Sequence, residues 1–383
     1  MYNEEQRQAA LDAMNILDTP PDERVDRVTR LAKELFGVPM VSVSLIDRDR
    51  QWRKSQIGLG GAEAPRADSF CDFTVRQDAS SVVEDASLHG LWAENPFVVN
   101  DPHLRFYAGH PLHAPGGEPV GTLCLLDTEP RAFSDAQRAV LKDLAFWVQT
   151  ELARDYELGH AALIQQALRP RAVPAVPGWT IAAGTRASGQ LSGDMYDLAL
   201  HGEVLRVSLG DAMGKGVGPA IAAAFVRASL RTAPARSVSE GLAEADRLLG
   251  EDLATAMFVT AMHADISTVT GEVELVDAGH GLTYILRADG SWEQLRSTGL
   301  PLGMGLTIQE ERDVTRVVLQ RGDTLISCSD GLLDVLDPTD PFGHVARTLV
   351  AEDPEGAVRE ALLLAERQSA PDDVTVLVVR REV

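Results

Sequence analysis

The chain has 383 residues, enough for two or three domains. Its 45% hydrophobic and 24% charged residues are the proportions of an ordinary globular protein. The formal net charge of −22 argues against a nucleic-acid partner, because a surface that binds the phosphate backbone needs clustered Lys and Arg.

The N-terminal segment MYNEEQRQAA has neither the basic nor the apolar region of a signal peptide, and no apolar run approaches the ~18 residues of a membrane span. Three cysteines, Cys71, Cys124 and Cys328, lie far apart within or beside apolar runs. This pattern indicates neither a disulfide framework nor a zinc site, and it is typical of a reducing compartment. We therefore expect a cytoplasmic protein that does not enter a membrane.

Residues 1–152 are predicted to form an α/β domain. Apolar residues recur at helical spacing from Pro21 to Phe36, and Gly37 and Pro39 end that helix. A largely buried strand is predicted at Met40–Ile46, a second strand at Gln51–Gln56 and a later core strand at Gly121–Leu126. A second long helix opens at Ser134. A mixed sheet between two helices is typical of a small sensor domain.

Several segments of this block carry a family resemblance: ILDTPPDERVDRVTRLAKELFGVP, SLIDRDRQWRKSQIGL, SFCDF, FYAGHPL and GTLCLLD. The block resembles a GAF domain over nearly all its length. The resemblance implies a central antiparallel sheet with helices and a sensory role, but it leaves the ligand or partner unknown. Cys71 is either a redox or chromophore-attachment thiol or a small buried hydrophobic residue. His110 and His113 have no third metal ligand nearby.

Residues 153–178 are predicted to link two domains. One long helix is expected from Ser134 to Leu168, with Pro170 ending it. Its apolar residues form a narrow stripe, which Gly159 and His160 interrupt: Leu141, Ala145, Val148, Leu152 and Tyr156. The stripe fits a helix that packs on the first domain, and it also fits a helix that pairs with a second chain. Both interpretations stay open, and the second underlies our expectation of a homodimer.

Residues 179–383 are predicted to form an α+β domain with two helices, Pro219–Arg231 and Ser239–Leu253, among many strands. The predicted strands are Trp179–Gly184, Val204–Leu209, Met257–Ile266, Glu272–Asp277, Leu282–Arg287, Val314–Leu319, Thr324–Cys328 and Val374–Val379. Helices in pairs among antiparallel strands indicate a layered domain.

Asp211 in GDAMGKG lies at the end of a predicted strand, and three other aspartates have similar settings: Asp194 in SGDMYDL, Asp330 in SDG and Asp372 in DDVT. An aspartate before glycine is commonly a turn residue whose side chain caps local N–H groups. Convergent carboxylates, by contrast, repel one another unless a cation lies among them. An all-oxygen ligand set suits Mg2+ or Mn2+ and does not suit zinc.

The segments SGDMYD, GDAMGKG, MFVTA, DAGHG, PLG, RGDTL, SDG and DDVTVLV occur in this order. With them the chain resembles the metal-dependent serine/threonine phosphatases of the PPM family, in their SpoIIE-type branch, over about residues 165–383. The resemblance implies a β-sandwich flanked by helices and hydrolysis of phosphoserine or phosphothreonine at two Mn2+ or Mg2+ ions. It implies that the catalytic and metal-binding residues are Asp194, Asp211, Asp330 and Asp372, with the Ala212 carbonyl as a further ligand.

The resemblance also implies a phosphorylated protein substrate, namely an antagonist of an anti-sigma factor in a bacterial partner-switching pathway. Two other functions stay open: a catalytically weak scaffold, and a regulator that chiefly senses a ligand. Asp197 is a less certain metal ligand or a cap, and Asp373 is the neighbour of a ligand. Lys215 is either a phosphate-steering or a solvated residue. His280 is a proton carrier or a structural loop residue.

Overall fold

The computed structural model describes residues 3–170, 172–232, 236–252, 257–295, 299–304, 312–336 and 353–383. The chain divides into two compact units, Met1–Glu157 and Leu158–Val383. Among the helices of the described ranges, none is both long and apolar enough to cross a bilayer. The predicted division into residues 1–152, 153–178 and 179–383 stays a prediction.

The first unit is built around one antiparallel sheet, as the resemblance to a GAF domain implies, and the prediction of a mixed sheet is wrong. Its elements are α1 (Glu4–Met14), α2 (Glu23–Phe36), β1 (Met40–Ile46), β2 (Arg50–Ile57), β3 (Glu63–Pro65), α3 (Phe70–Gln77), β4 (Ser81–Val83), α4 (Pro96–Val99), β5 (Phe106–His113), β6 (Pro119–Asp127) and the start of α5 (Asp135–Leu168). The six strands follow the order β3-β2-β1-β6-β5-β4. β1 is buried over its whole length, which is why its sequence reads as a continuous apolar run.

The sheet of the first unit has a core on each face. Val41, Val43 and Leu45 pack with α1, α2 and the start of α5, while Met40 and Ile46 pack with α3 on the other side. Alternate residues of one strand therefore serve two cores, as the period of a strand requires.

α5 runs without a break from the first unit into the second. Its predicted stripe is packed in the first core: Leu141, Ala145, Val148 and Leu152 are buried there, with Tyr156 partly buried against them. The interpretation as a helix that packs on the first sheet is confirmed for these residues. Other apolar side chains of the helix are exposed, namely Val140, Phe146, Trp147, Leu163, Ile164 and Leu168.

The second unit is a sandwich of two sheets. Its elements are β7 (Trp179–Arg186), β8 (Asp194–His201), β9 (Val204–Ala212), α6 (Val217–Arg231), α7 (Val238–Asp252), β10 (Val259–Ser267), β11 (Glu272–Ala278), β12 (Thr283–Leu286), β13 (Trp292–Leu295), β14 (Thr315–Val318), β15 (Thr324–Cys328), α8 (Pro354–Arg367) and β16 (Val374–Arg381). The strand orders are β14-β11-β10-β9-β8 and β13-β12-β15-β16-β7. The predicted last residue of α7, Leu253, lies outside the described residues.

Helices cover both outer faces of this sandwich. Leu377 and Val379 of β16 pack against the other sheet, while Val376 and Val378 pack under α8. α6 and α7 cover the sheet that contains β8, β9 and β10. The predicted β-sandwich flanked by helices is confirmed.

Candidate metal centre

The first two candidate aspartates lie on neighbouring strands of one sheet. β8 begins at Asp194 and β9 ends one residue after Asp211, so that the two residues are direct antiparallel partners. Asp194 is buried, and Asp211 is partly buried. The approach of the two segments requires Gly193, since a Cβ there would lie 2.9 Å from the carbonyl oxygen of Ala212. The Ala212 N–H donates to the Gly193 carbonyl at 3.1 Å, and a role of the Ala212 carbonyl as a ligand stays a prediction.

The other two aspartates flank a strand pair of the second sheet. β15 ends at Cys328, two residues before Asp330, and β16 begins at Val374, two residues after Asp372. The strands are antiparallel, with Cys328 opposite Val376. A residue that follows one strand and a residue that precedes its antiparallel neighbour lie at the same edge of a sheet. Each sheet therefore contributes one pair of carboxylates.

Close backbone contacts hold the second pair in place. Ser329 Oγ donates to the Asp373 carbonyl at 3.1 Å and accepts from the Thr375 N–H at 2.8 Å. A Cβ at Gly331 would lie 2.2 Å from the Asp373 carbonyl oxygen. Only glycine fits the position after Asp330, because any side chain would push the two segments apart.

The carboxylates of the two pairs affect one another's pKa. Burial and the nearby carboxylates of Asp330 and Asp372 together raise the pKa of Asp211 to about 7. Burial and the neighbouring Asp211 carboxylate raise the pKa of Asp194 well above its ordinary value. Burial and the Asp372 carboxylate raise the pKa of Asp330. The structure thus brings all four predicted aspartates together at one edge of the sandwich, and their role as ligands stays a prediction.

The chemistry of this cluster suits a hard divalent cation. All four side chains offer carboxylate oxygens, which Mg2+ and Mn2+ prefer. Asp194 Oδ2 is buried without a hydrogen-bond partner, a costly state that a bound cation relieves. Within the described ranges, no three His, Cys, Asp or Glu side chains already surround a single point closely enough to hold an ion. The donors fit the ion, and binding would draw the carboxylates closer together.

Asp373 has a structural task beside the cluster. Its carboxylate accepts hydrogen bonds from the Ser188 N–H and the Gly193 N–H, both at 2.7 Å. It therefore fixes the loop between β7 and β8, and with it the start of β8 at Asp194. This contact joins the edges of the two sheets and agrees with the expectation that Asp373 is a neighbour of the ligands.

Two further sequence candidates lie in ion pairs. Asp197 is buried between Arg227 and Arg231 of α6, at 2.9 and 2.7 Å, so it fastens β8 to that helix. Lys215 Nζ lies 3.3 Å from an Asp372 carboxylate oxygen and keeps a side-chain exposure of 49%. Lys215 is therefore a cation at the cluster that also reaches solvent.

Two buried histidines of the second unit are neutral at pH 7. Burial lowers the pKa of His280 to about 4, and its Nε2 lies 3.0 Å from Ser327 Oγ. The backbone N–H of His280 donates to the Asp277 carboxylate at 2.7 Å. Burial likewise lowers the pKa of His263 to about 4, and its Nδ1 lies 2.7 Å from Ser208 Oγ. These contacts favour the structural loop interpretation of His280.

Sequence reasoning missed a contact between α5 and the cluster. Gln165 Nε2 donates to the Ser192 carbonyl at 2.6 Å, and the Ser192 N–H donates to Gln165 Oε1 at 3.0 Å. Ser192 lies two residues before Asp194, so the end of α5 holds the segment that leads into β8. A single glutamine on a helix carries no sequence signal for such a contact. Asp334 was also missed, although its carboxylate contributes to the raised pKa of Asp330.

Comparisons with known proteins find two matched stretches in the chain. Residues 20–152 match the model of the GAF domain, and residues 201–382 match that of stage II sporulation protein E (SpoIIE). Asp211, Asp330 and Asp372 lie inside the second match, and Asp194 lies just before it.

Three similar proteins illustrate the two parts. A cyclic di-GMP phosphodiesterase of Pseudomonas aeruginosa is 34% identical over 151 residues, which are 39% of this chain and 26% of that protein. Phosphoserine phosphatase RsbU of Bacillus subtilis is 25% identical over 250 residues, covering 62% of this chain and 72% of RsbU. The crystal structure of the RsbU and RsbW domains of Rv1364c from Mycobacterium tuberculosis has a TM-score of 0.50 and 26% identity, covering 56% of this chain and 63% of that one.

The chain spans about a quarter of the length of the first of these relatives and about two thirds of the solved structure. The family matches fall in the order that the sequence motifs indicated. Over these two stretches the chain is therefore similar to a GAF domain followed by a domain of the SpoIIE family.

Proposed function

We propose that the second unit is a metal-dependent protein phosphatase that hydrolyses phosphoserine or phosphothreonine. The observation that carries this proposal is the convergence of Asp194 and Asp211 from one sheet with Asp330 and Asp372 from the other. Four carboxylates with mutually raised pKa values are unfavourable in isolation and favourable around cations.

The four aspartates would hold two Mn2+ or Mg2+ ions, with the Ala212 carbonyl as a further ligand. When bound, such ions supply an activated water and neutralise the charge of a phosphoryl group. The remaining chemistry belongs to the chain: Asp373 fixes the loop before Asp194, and Lys215 keeps a positive charge where an anionic side chain would approach.

The substrate we propose is a phosphorylated antagonist of an anti-sigma factor. RsbU, which is similar to this chain, is a phosphoserine phosphatase, and the similar Rv1364c carries RsbU and RsbW domains. These similarities support a place in a partner-switching pathway in the cytoplasm.

The GAF domain would regulate the phosphatase through α5. Gln165 near the end of this helix makes two hydrogen bonds to the backbone of Ser192, so a change in the helix acts on the segment before Asp194. We further propose a homodimer. Exposed apolar side chains of α5, including Phe146, Leu163 and Ile164, support pairing of this helix with a second copy.

An Mn2+ titration of phosphate release from a phosphoserine protein tests the proposal. We expect activity in the full chain that rises with Mn2+ and disappears in excess chelator. Asp211→Asn and Asp330→Asn should each lower it by more than about 100-fold, beyond the loss typical of an outer-shell partner. Asp289→Asn is the matched control, because Asp289 lies in a turn of the same unit and its carboxylate accepts hydrogen bonds from the backbone N–H and the hydroxyl of Ser291.

Two outcomes would contradict the proposal. Wild-type turnover in Asp211→Asn or Asp330→Asn would mean that the cluster is not the reaction centre. Saturable Mn2+ binding with no turnover on any phosphoserine or phosphothreonine protein would favour the scaffold function instead.

A further inference from the structure

Two cysteines of the first unit lie side by side although 53 residues separate them in sequence. Cys71 Sγ, from the beginning of α3, lies 3.5 Å from Cys124 Sγ of β6. Both residues are free thiols and are buried, with exposures of 2% and 1%. The distance is that of a sulfur hydrogen bond and is about 1.5 Å longer than a disulfide. A disulfide would therefore bring the two sulfur atoms closer by that difference.

A cavity lies beside the two cysteines. Its volume is about 250 Å3, and both cysteines line it. Polar side chains also line it, including Gln51, Arg53 and Ser69. A volume of this size exceeds the ~30 Å3 of one water several-fold, so a small neutral molecule fits beside the thiols. The pair is hidden from bulk solvent but adjoins an internal space.

The surroundings favour a thiolate at one of the two positions. Arg53 is 9% exposed, and its Nη1 donates to the carbonyl oxygens of Gly60 and Gly61, at 2.9 and 2.8 Å, while its Nε is buried without a partner. Cys71 is the second residue of the eight-residue α3, where the helix dipole favours an anion.

The two thiols share their protons unequally. Burial raises the pKa of the Cys71 thiol, but hydrogen bonds from Cys124 and neighbouring hydroxyl groups outweigh burial and lower it to about 7. The hydrogen bond with Cys71, together with burial, raises the pKa of Cys124 well above its ordinary value. A thiolate beside a thiol is the arrangement of a nucleophile and its resolving partner.

We propose that Cys71 and Cys124 form a dithiol that a small hydroperoxide oxidises to a disulfide within the GAF domain. The Cys71 thiolate attacks one oxygen of the peroxide, an S–O bond forms, the O–O bond breaks, and the leaving alkoxide or hydroxide takes a proton. The sulfur is oxidised by two electrons to a sulfenic acid, and the peroxide is reduced.

The sulfur of the Cys124 thiol then attacks the sulfenic sulfur and gives up its proton to the departing hydroxide. An S–S bond forms, the S–O bond breaks, and the departing hydroxide leaves as water after taking a proton. The sum is two thiols and one hydroperoxide converted into one disulfide, one alcohol or water, and one water. An external dithiol reverses the change by exchange.

The bond would change the shape of the sensor. Cys71 belongs to the core that α3 shares with β6 and Trp92, and Phe70 stacks on Trp92 with ring centroids 4.0 Å apart. Shortening the sulfur–sulfur distance by about 1.5 Å draws α3 towards β6. The cavity between them changes with it, because both cysteines line its wall.

Mass spectrometry of the full chain tests the pair. Treating the native protein with hydrogen peroxide should lower its mass by about 2 Da, the loss of two hydrogen atoms, and dithiothreitol should restore it. Peptide mapping without reductant should give one linked pair of peptides, containing Cys71 and Cys124. Cys328→Ser is the matched control, since Cys328 is equally buried but lies in the second unit.

Single variants identify the nucleophile. The Cys124→Ser variant should accumulate a sulfenic acid at Cys71, which dimedone labels. In the Cys71→Ser variant, dimedone labelling of Cys124 should be at least tenfold lower. Peptide mapping of the wild-type chain tests for the bond between Cys71 and Cys124 even if a variant fails to fold. An unchanged mass of the native wild-type protein, a bond that includes Cys328, or a bond between two chains would each overturn the proposal.

Discussion

The carboxylate cluster predicts an unusual response to the loss of one charge. In a chain freed of metal by chelator, Asp211→Asn should be more stable than the wild type, whereas most substitutions of partly buried residues destabilise. The reason is that Asp211 lies among Asp194, Asp330 and Asp372, all acidic, so its ionised form is unfavourable in the folded chain.

The pKa gives the size of this effect. Moving the pKa of a carboxyl from 3.8 to about 7 makes its ionised form about 4 kcal/mol less favourable in the folded chain than in the unfolded chain. Asp211 is partly exposed and shares protons with its neighbours, which reduces the effect. We therefore expect the free energy of unfolding of Asp211→Asn to exceed that of the wild type by about 1 to 3 kcal/mol at pH 8.

The pH dependence has a definite sign. Because the folded-state pKa lies above that of the unfolded chain, the folded chain binds the extra proton, and wild-type stability falls as the pH rises. The difference between variant and wild type should be small near pH 4 and complete above about pH 7. Urea unfolding of both proteins at several pH values, with chelator present, measures it.

Adding metal should make the wild type more stable than Asp211→Asn. At a concentration of Mn2+ about 1,000 times Kd, binding adds about 4.1 kcal/mol to the folded wild type, more than the advantage of the variant, and Asp211→Asn should lose most of that gain. Asp289→Asn, outside the cluster, should follow the wild type in both conditions. A variant that is less stable than the wild type in chelator at pH 8, or a difference that does not change with pH, would refute the reasoning.

Two further predictions concern the segments that hold the cluster. Gln165→Ala should weaken the apparent Mn2+ affinity in phosphatase assays by about 5- to 150-fold, because it removes both hydrogen bonds to Ser192. Gln166→Ala, a change at the exposed neighbouring residue, is the control and should leave the affinity unchanged. Equal titration curves for the two variants would contradict the prediction. Gly331→Ala should lower the free energy of unfolding by about 1 to 3 kcal/mol or more, because its Cβ would meet the Asp373 carbonyl oxygen. Gly189→Ala, whose Cβ would meet nothing within 4 Å, is the control in thermal unfolding, and equal losses for both would contradict the steric argument.

Strands buried on both faces were the easiest part of the fold to predict. Met40–Ile46 and Thr324–Cys328 have the bounds that their apolar runs indicate. β8, Asp194–His201, was not predicted as a strand, because DMYDLALH mixes acidic and apolar residues without a clean alternation. α8, Pro354–Arg367, was also missed, although Asp353 caps it and proline opens it, which are ordinary start signals.

Some residues of the site could be predicted from the sequence, and others could not. The four aspartates could be found because short motifs carry them, but Asp194 begins a strand instead of ending one. Partners far apart in sequence could not be found: Asp373 bonds Gly193 across 180 residues, and Gln165 bonds Ser192 across 27. Such contacts depend on which sheet edges meet, which no local pattern records.

The segment from Ser192 to Asp194 is the place where sensor input and metal affinity would be linked. Gln165 holds its first residue from α5, Asp373 holds Gly193 from the second sheet, and the Asp194 N–H donates to Ser192 Oγ at 3.1 Å. Because metal sites depend on ligand positions to within about 0.5 Å, a small displacement of α5 would suffice to change the affinity. Coupling of binding equilibria is reciprocal. If the contact between Gln165 and Ser192 strengthens metal binding by a given factor, metal binding at Asp194 should strengthen that contact by the same factor.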